Sequence, residues 1–449
     1  MTWRCRSPPS GAGAAIGTAM TVLGATSLGA GLFTSIPDAL VYTGGGMLLV
    51  MVGVAIASPL VGRPVVALVG MFYRRMFGPV GHLAEQNAMR NTRRTAATAS
   101  ALIVGLTLVS MMAVFGQSTK ASVDKTLAES FSADYVVSNA VGYPFSPAVV
   151  DQVKKVPGVG AVARFRFVTS TVGGATAQVG GIEPIPFAKA MKVRMDGGTI
   201  GALTGQTVLV ESKLAKEKGL AVGDKVIMSI AGEAASYPVA GIFEALPGIS
   251  GLQYFTSLEA LNTAGVVPAD NMAYVVRAPG AAPATVRAGI DSVIADLPTI
   301  TLKDRAEFAA EQRAPIDQML SLIYALLALA VVIAVLGIVN TLALSVIERT
   351  REVGLLRAVG LSWRQLRTMV RLESMIISLL GAVLGVGLGL LFGVALQRSQ
   401  ADSGIGVLSL PFVQLLIFVA LAALVGVLAA VWPARRAARL DVLRAITTD

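Results

Sequence analysis

Long uncharged stretches alternate with charged ones along the chain. Six windows lack any Asp, Glu, Lys or Arg: residues 7–37, 39–62, 95–119, 319–347, 374–396 and 403–434. A helix crosses the hydrocarbon core with roughly 20 apolar residues, and a centrally placed Arg or Lys costs about 2.5–3.5 kcal/mol. Each window can therefore house one span. Residues 120–317 are patterned differently. "ADYVVS" is strand-like, and "SPAVVDQVKKVPG" has Ser146 at an N-cap position, Pro147 at the first helical position and Val149, Val153 and Val156 on one face. "VGAVARFRFVTSTV" alternates like a strand. "VLVESKLAKEKGLAVGDKVIMSI" predicts strand, short helix ending at Gly219, turn at 223–224 and strand, while Val286, Ile290, Val293 and Leu297 recur at helical spacing. The predicted class is an α-helical integral membrane protein of about six spans with one mixed α/β extracytoplasmic domain.

Composition agrees: 54% of residues are hydrophobic and 14% charged, against about 25% charged in soluble domains. Charge then sets orientation. Residues 120–317 hold 18 basic and 19 acidic residues, whereas the rest of the chain holds 19 basic and 8 acidic. All 19 of those basic residues are arginines, and only Arg398 falls in a predicted outer loop. The positive-inside rule puts the remainder in the cytoplasm and 120–317 outside. The implied order is a short cytoplasmic N-terminus (1–10), two spans (11–62), a cytoplasmic basic loop (63–94), a span (95–119) and the extracytoplasmic domain (120–317). A span (318–347), a cytoplasmic hairpin (348–371), a span (372–397), an outer loop (398–410), a last span (411–432) and a cytoplasmic tail (433–449) follow. The basic, small-residue start also fits a signal peptide; its length favours a retained span. Within the basic loop, Leu83 to Met89 predicts a short helix on the inner membrane face, with Arg90, Arg93 and Arg94 near lipid phosphates.

Catalytic chemistry is sparse. The outer domain has no His or Cys, which removes the usual zinc sites and Ser/His or Cys/His nucleophiles. Its acid pairs, such as Asp304 and Glu307, read as charged helix faces. Cys5 is the single cysteine, so no internal disulfide is possible, and His82 is the single histidine, read as an interfacial side chain. No G-x-x-x-x-G-K-[ST] loop occurs. No catalytic, cofactor or metal residues are assigned, and the arginines at membrane borders carry no nucleic-acid motif. The spans lack the ionisable relay of a proton- or ion-coupled transporter, Glu373 being the nearest candidate. Gly381, Gly385, Gly389 and Gly393 form a four-residue glycine stripe that marks a helix-packing face.

Between two uncharged spans lies "ERTREVGLLRAVGLSWRQLRTMVRLE". Val353, Leu356, Val359, Trp363 and Leu366 make an apolar stripe, Gly360 stops the short helix, and Ser362 with Gln365 forms a capping-box pattern that starts the next one. Such a helix suits a groove on a cytosolic partner.

This stretch, continued through "SMIISLLGAVLGVGLGLLFG", closely resembles the coupling hairpin and following span of the FtsX-like (MacB-type) ABC transporter permeases. "EQNAMRNTRRTAATASALIVGLTLV" and "VWPARRAARLDVLRAI" resemble that family's entry to its first span and its C-terminal end. The resemblance implies a permease without enzymatic activity that couples a separate cytosolic ABC ATPase to motion of the outer domain, for export, lipoprotein or lipid handling, or envelope mechanotransmission. It implies no cofactor on this chain and ATP-Mg in the partner. The coupling segment would be Glu348, Arg349, Arg351, Glu352, Val353, Gly354, Leu355, Leu356, Arg357, Ala358, Val359 and Gly360. The family unit has four spans; the two extra ones, 12–35 and 40–60, resemble the second half of a tandem permease. That reading implies a split gene, a truncation, or pairing with a second permease half or another copy, and an envelope protein or lipoprotein as a further partner. The alternative is a membrane-anchored sensor or scaffold that binds an envelope ligand without ATP.

Overall fold

The computed structural model describes residues 10–34, 38–90, 92–244, 251–348, 352, 354–355, 359–401 and 404–438. The chain divides into two units: residues 1–119 with 316–449, and residues 120–315.

The first unit is helical. Its elements are α1 (Ser10–Phe33), α2 (Ala39–Val61), α3 (Arg63–Arg90), α4 (Thr92–Ser130), α10 (Arg305–Glu348), α11 (Trp363–Ser399), α12 (Phe412–Ala429) and α13 (Val431–Ala438). Among the described residues six helical stretches are long and apolar enough to cross a membrane: Gly13–Phe33, Ala39–Ser58, Ala99–Ser130, Arg305–Ser345, Trp363–Ser399 and Phe412–Arg435. The helices α4 and α10 run beyond the uncharged windows, because Lys120 to Ser130 and Arg305 to Gln318 keep helical geometry.

Two helix pairs approach closely along glycine seams. A Cβ on Gly17 would lie 2.8 Å from Ala57 N, on Gly24 2.6 Å from Val50 N and on Gly31 2.5 Å from Thr43 Oγ1. From the other side, Gly46 would meet Leu28 N at 2.6 Å and Gly53 would meet Thr21 N at 2.6 Å. The α1–α2 hairpin is thus packed backbone to backbone, as small-residue seams permit in lipid. At the centre of the unit, α11 packs on α3, α4 and α12, and Ser374 Oγ donates to Gly426 O of α12 at 2.6 Å.

The segment 63–94, expected as a loop with one short helix, is helical over its described residues apart from Gly78. Gly78 adopts φ 54, ψ −131, a backbone state that side chains disfavour. With Pro79 behind it, the chain reverses and α3 becomes two packed arms. A Cβ on Gly81 would sit 2.2 Å from Tyr73 O, and one on Gly70 2.3 Å from Glu85 Cδ.

The second unit is α/β. Ten strands, β1 (Tyr135–Asn139), β2 (Val159–Val172), β3 (Ala175–Ile182), β4 (Met195–Gly198), β5 (Val208–Glu211), β6 (Lys225–Ile230), β7 (Glu233–Phe243), β8 (Leu252–Ser257), β9 (Met272–Arg277) and β10 (Ile300–Asp304), form one sheet ordered β10-β1-β9-β2-β3-β8-β5-β7-β4. The remaining strand, β6, pairs with β2 and β7. Pairing is antiparallel except for β3 with β8 and β5 with β7. Helices α5 (Pro147–Val153) and α9 (Pro283–Ile294) cover the β10-β1-β9-β2 end through Val149, Val150, Val153, Val286 and Ile290. Helices α6 (Pro184–Ala190), α7 (Ser212–Lys218) and α8 (Leu258–Thr263) complete the unit. The middle is aromatic, with Phe131, Phe165, Phe187, Phe243, Phe255, Tyr274 and Phe308 in one core. Ser146 caps α5 by accepting from Ala148 N at 3.3 Å, and Gly219 ends α7 at φ 64, as the local sequence predicts.

A buried ion pair joins β2 to Asp270, the bridge residue just before the neighbouring strand β9. Arg166 Nε lies 2.6 Å from Asp270 Oδ1, with side chains 4% and 0% exposed. Arg166 Nη1 donates to Asn262 Oδ1 at 2.8 Å, and Arg164 Nε approaches Asp270 Oδ2 at 3.7 Å. The Asp270 backbone also exchanges two 2.8 Å hydrogen bonds with Phe145.

Asp304 and Glu307, expected as a charged helix face, instead form a reciprocal cap at the start of α10. Asp304 N donates to Glu307 Oε2 at 2.7 Å and Glu307 N donates to Asp304 Oδ1 at 2.9 Å. The Arg287 guanidinium, 3.0 Å from Glu307, holds this carboxyl below its usual 4.5, aided by the Asp304 amide. A depressed folded-state value adds stability above the unfolded-state value, and the gain is lost as pH falls through the folded one. Acid titration of the outer unit should therefore show a loss of stability below pH 4.5 that Glu307→Gln removes, read by urea midpoints at neutral and acidic pH.

Candidate functional site

The hairpin between α10 and α11 is the part of the chain best placed to meet a partner. Of its expected coupling residues, Arg349, Arg351, Val353, Leu356, Arg357 and Ala358 lie outside the described residues. Glu348 ends α10 and is exposed; Glu352 is half-buried, and Gly354 is buried. Val359 N donates to Leu355 O at 3.0 Å. Leu355 and Val359 are 59% and 89% exposed. Gly360 follows at φ 110, a conformation that ends a helix and that glycine adopts at least cost. Ser362 then opens α11: Gln365 N donates to Ser362 Oγ at 3.3 Å, and Ser362 N donates to Gln365 Oε1 at 2.9 Å.

The apolar stripe expected from Val353 to Leu366 is not one face. Gly360 reorients the chain, so Leu366 is fully buried in the α3–α11 core while Val359 stands in the open. Among the described hairpin residues, Leu355 and Val359 are the large apolar side chains left exposed. No carboxylate–histidine or cysteine group that could hold a metal occurs among the described residues.

Behind the hairpin, the glycine stripe of α11 lies on α4. A Cβ on Gly381 would be 3.1 Å from Leu102 Cβ, on Gly385 2.8 Å from Leu106 Cβ, on Gly389 2.4 Å from Ser110 Cβ and on Gly393 2.6 Å from Val114 Cβ. The hairpin is therefore followed by a helix whose glycine stripe packs closely on α4.

In the outer unit, Asp134, Tyr135, Arg277, Arg287, Asp304 and Arg305 line an open cleft of roughly 560 Å³. Its arginines are engaged: Arg277 with Asp134 at 2.9 Å, Arg287 with Glu307, and Arg305 with Ala133 O at 3.1 Å. The arginines that line the cleft are thus committed to neighbours within the outer unit. The sequence also concealed the clip inside α3, where Arg74 Nε lies 3.0 Å from Glu85 Oε2 and His82 Nδ1 lies 3.8 Å from the same oxygen.

Known families account for most of this layout. The FtsX-like permease C-terminal family matches residues 324–442, and the MacB-like periplasmic core domain matches residues 95–293. The chain thus carries a MacB-like periplasmic core domain and an FtsX-like permease domain. It is a multi-pass cell-membrane protein, similar over these domains to ABC transporter permeases. This permease is 32% identical over 135 residues to the macrolide export ATP-binding/permease protein MacB 2 of Aeromonas hydrophila, covering 29% of this chain and 20% of that one. It is 36% identical over 138 residues to the probable syringafactin export ATP-binding/permease protein SyfD of Pseudomonas syringae pv. tomato, covering 30% and 20%. With the pyoverdine export ATP-binding/permease protein PvdT of Pseudomonas fluorescens it shares 31% over 122 residues, covering 27% and 18%. The permease thus spans about a fifth of the length of these relatives. The extracellular domain of the ABC-type transporter YknZ from Gram-positive bacteria aligns with 38% of this chain and 99% of its own, at 15% identity and a TM-score of 0.30.

Proposed function

We propose that this chain is the non-catalytic permease subunit of an ABC exporter, and that a separate cytosolic ATPase docks on the hairpin around Leu355 and Val359. The observation that carries the reading is that pair: two large apolar side chains, 59% and 89% exposed, joined by a backbone hydrogen bond just before Gly360, in a stretch of sequence rich in arginine. Soluble surfaces tolerate single exposed apolar residues, but a paired i,i+4 display fits a groove on a partner. ATP and magnesium would be held by that partner, with no cofactor on this chain. A second permease half or a second copy of this chain would supply the other docking hairpin.

In this reading, ATP turnover in the partner would drive movement of the outer unit. Relatives named for export of macrolides, syringafactin and pyoverdine support export as the outcome, and an envelope protein or lipoprotein would be a fitting partner for the outer unit.

The test is a mild-detergent pull-down from native membranes, comparing the wild type with Leu355→Asp/Val359→Asp. Burying two such side chains is worth ~3 kcal/mol or more, so the variant should bind the ATPase about 100-fold more weakly. An ATPase retained by the variant would overturn the docking site. If the wild type brings down no ATPase, the chain is better read as an ATP-independent sensor or scaffold.

A further inference from the structure

The arm of α3 before Gly78 carries an apolar surface that faces away from the rest of its unit. Leu68, Met71, Phe72 and Met76 are 71%, 64%, 60% and 60% exposed, and their spacing sets them on one side of the helix. The opposite side is buried: Val66 and Tyr73 belong to the core shared with α11, and Gly70 lies against Glu85.

The position of this face follows from its neighbours. The arm continues from α2 with helical hydrogen bonds, Gly62 N to Ser58 O and Val66 N to Gly62 O. Gly62 is against Leu380 of α11, well inside the uncharged stretch that begins at residue 374. Further along, Gly70 meets Glu85 of the returning arm, and Asn87, two residues on, has its Nδ2 3.8 Å from Met369 Sδ. The arm therefore descends beside α11 from its uncharged part to the level of Arg367 and Arg371. That is the depth at which hydrocarbon gives way to headgroups.

Length and charge narrow the role. Only ten residues separate Arg63 from Arg74. At 1.5 Å per residue they reach about 15 Å, half of the ~30 Å hydrocarbon core, so the arm cannot be a span. No Asp or Glu occurs between Asp38 and Glu85, while the arm carries Arg63, Arg74 and Arg75. Arg74 turns back to Glu85 and holds the two arms together. Arg75 is exposed on the same side as Met71 and Phe72, where its stem can lie along apolar surface with the guanidinium in the headgroup layer. An apolar face with basic residues and no acid is the pattern that binds an interface rich in anionic lipid.

We propose that this arm is an interfacial anchor, with Leu68, Met71, Phe72 and Met76 bedded in the headgroup layer on the arginine-rich side of the membrane and Arg75 favouring anionic lipid. The anchor would fix the end of α2 and, through the Arg74–Glu85 clip, the arm that leads to α4. Its helix differs from the Leu83–Met89 segment that the sequence suggested for the membrane surface; that segment is largely packed inside the unit.

The experiment places single cysteines at Leu68, Phe72 and Gln86 in a Cys5→Ser background and labels each with an environment-sensitive fluorophore. Gln86, exposed on the returning arm, is the aqueous control. Full-length protein is reconstituted in nanodiscs of phosphatidylcholine, with and without phosphatidylglycerol, and probed with headgroup-proximal doxyl lipid and aqueous iodide. The expected result is several-fold stronger doxyl quenching at positions 68 and 72 than at 86, with weaker iodide quenching. Phosphatidylglycerol should increase the doxyl effect, and Arg75→Gln should remove that increase. Equal iodide access at all three positions would overturn the proposal. So would shielding of 68 and 72 only in preparations that retain a bound cytosolic ATPase, which would make this a protein-docking face.

Discussion

Asp270→Ala is expected to destabilise the outer unit more than any other single change considered for this chain. The carboxylate is fully buried, 2.6 Å from an Arg166 side chain that is itself 4% exposed. Removing it leaves a buried guanidinium with only Asn262 to meet it, and breaking a buried pair from one side costs about 3–5 kcal/mol. For a unit of this size that corresponds to a fall in Tm of roughly 10 °C. The loss should also loosen the Phe145–Asp270 bridge, whose two backbone bonds depend on the same residue staying in place. Pulse proteolysis of the full-length protein in detergent, across a urea series, measures the effect. The double variant Arg166→Met/Asp270→Leu should recover much of the loss, because a packed apolar pair of similar volume often does as well as a buried ion pair. A single-variant loss below about 1 kcal/mol would mean that water reaches the site and screens it.

Gly389→Leu should separate α4 from α11. Its first added carbon would stand 2.4 Å from Ser110 Cβ and 2.7 Å from Thr107 O, and a backbone oxygen cannot step aside as a flexible side chain can. Overpacking of this kind costs about 1–3 kcal/mol. A disulfide reporter reads the separation directly. Leu102→Cys with Gly381→Cys, in a Cys5→Ser background, places two sulfurs on carbons that start 3.1 Å apart, close to the ~3.8 Å typical of a disulfide. Oxidative cross-linking should be efficient in that chain and should fall sharply once Gly389→Leu is added, with Gly389→Ala between the two. Unchanged cross-linking would show that the seam tolerates a larger side chain.

What the sequence revealed was local. Uncharged windows disclose spans because a single misplaced charge is costly in lipid, and Ser362 with Gln365 discloses a cap because its partners are three residues apart. The features that escaped notice depend on residues that meet only in three dimensions. Arg166 and Asp270 are 104 positions apart, and neither sits in a pattern that hints at the other. Gly78–Pro79 signals an interruption, but not that the two arms pack on each other with Glu85 against Gly70. Asp304 and Glu307 have capping-box spacing, yet they resemble a charged face until Asp304 is known to end a strand. The seven-residue spacing of Gly17, Gly24 and Gly31 is visible in the chain; its meaning comes from Gly46 and Gly53 opposite. In the hairpin between α10 and α11, periodicity counted Leu366 with Val359, and the positive φ of Gly360 sends them to opposite environments.

The division of the chain at Lys120 and Pro315 has a practical corollary. Every lysine, from Lys120 to Lys303, falls inside the outer unit, and every basic residue elsewhere is an arginine. Amine chemistry is thus a natural reporter of sidedness. Apart from the α-amine, an acylating label or an amine-directed cross-linker will mark the outer unit and capture its neighbours while leaving the hairpin and spans untouched. Lysine-specific proteolysis will cut intact cells' protein from one side of the membrane alone, and will spare the same protein in vesicles of opposite orientation.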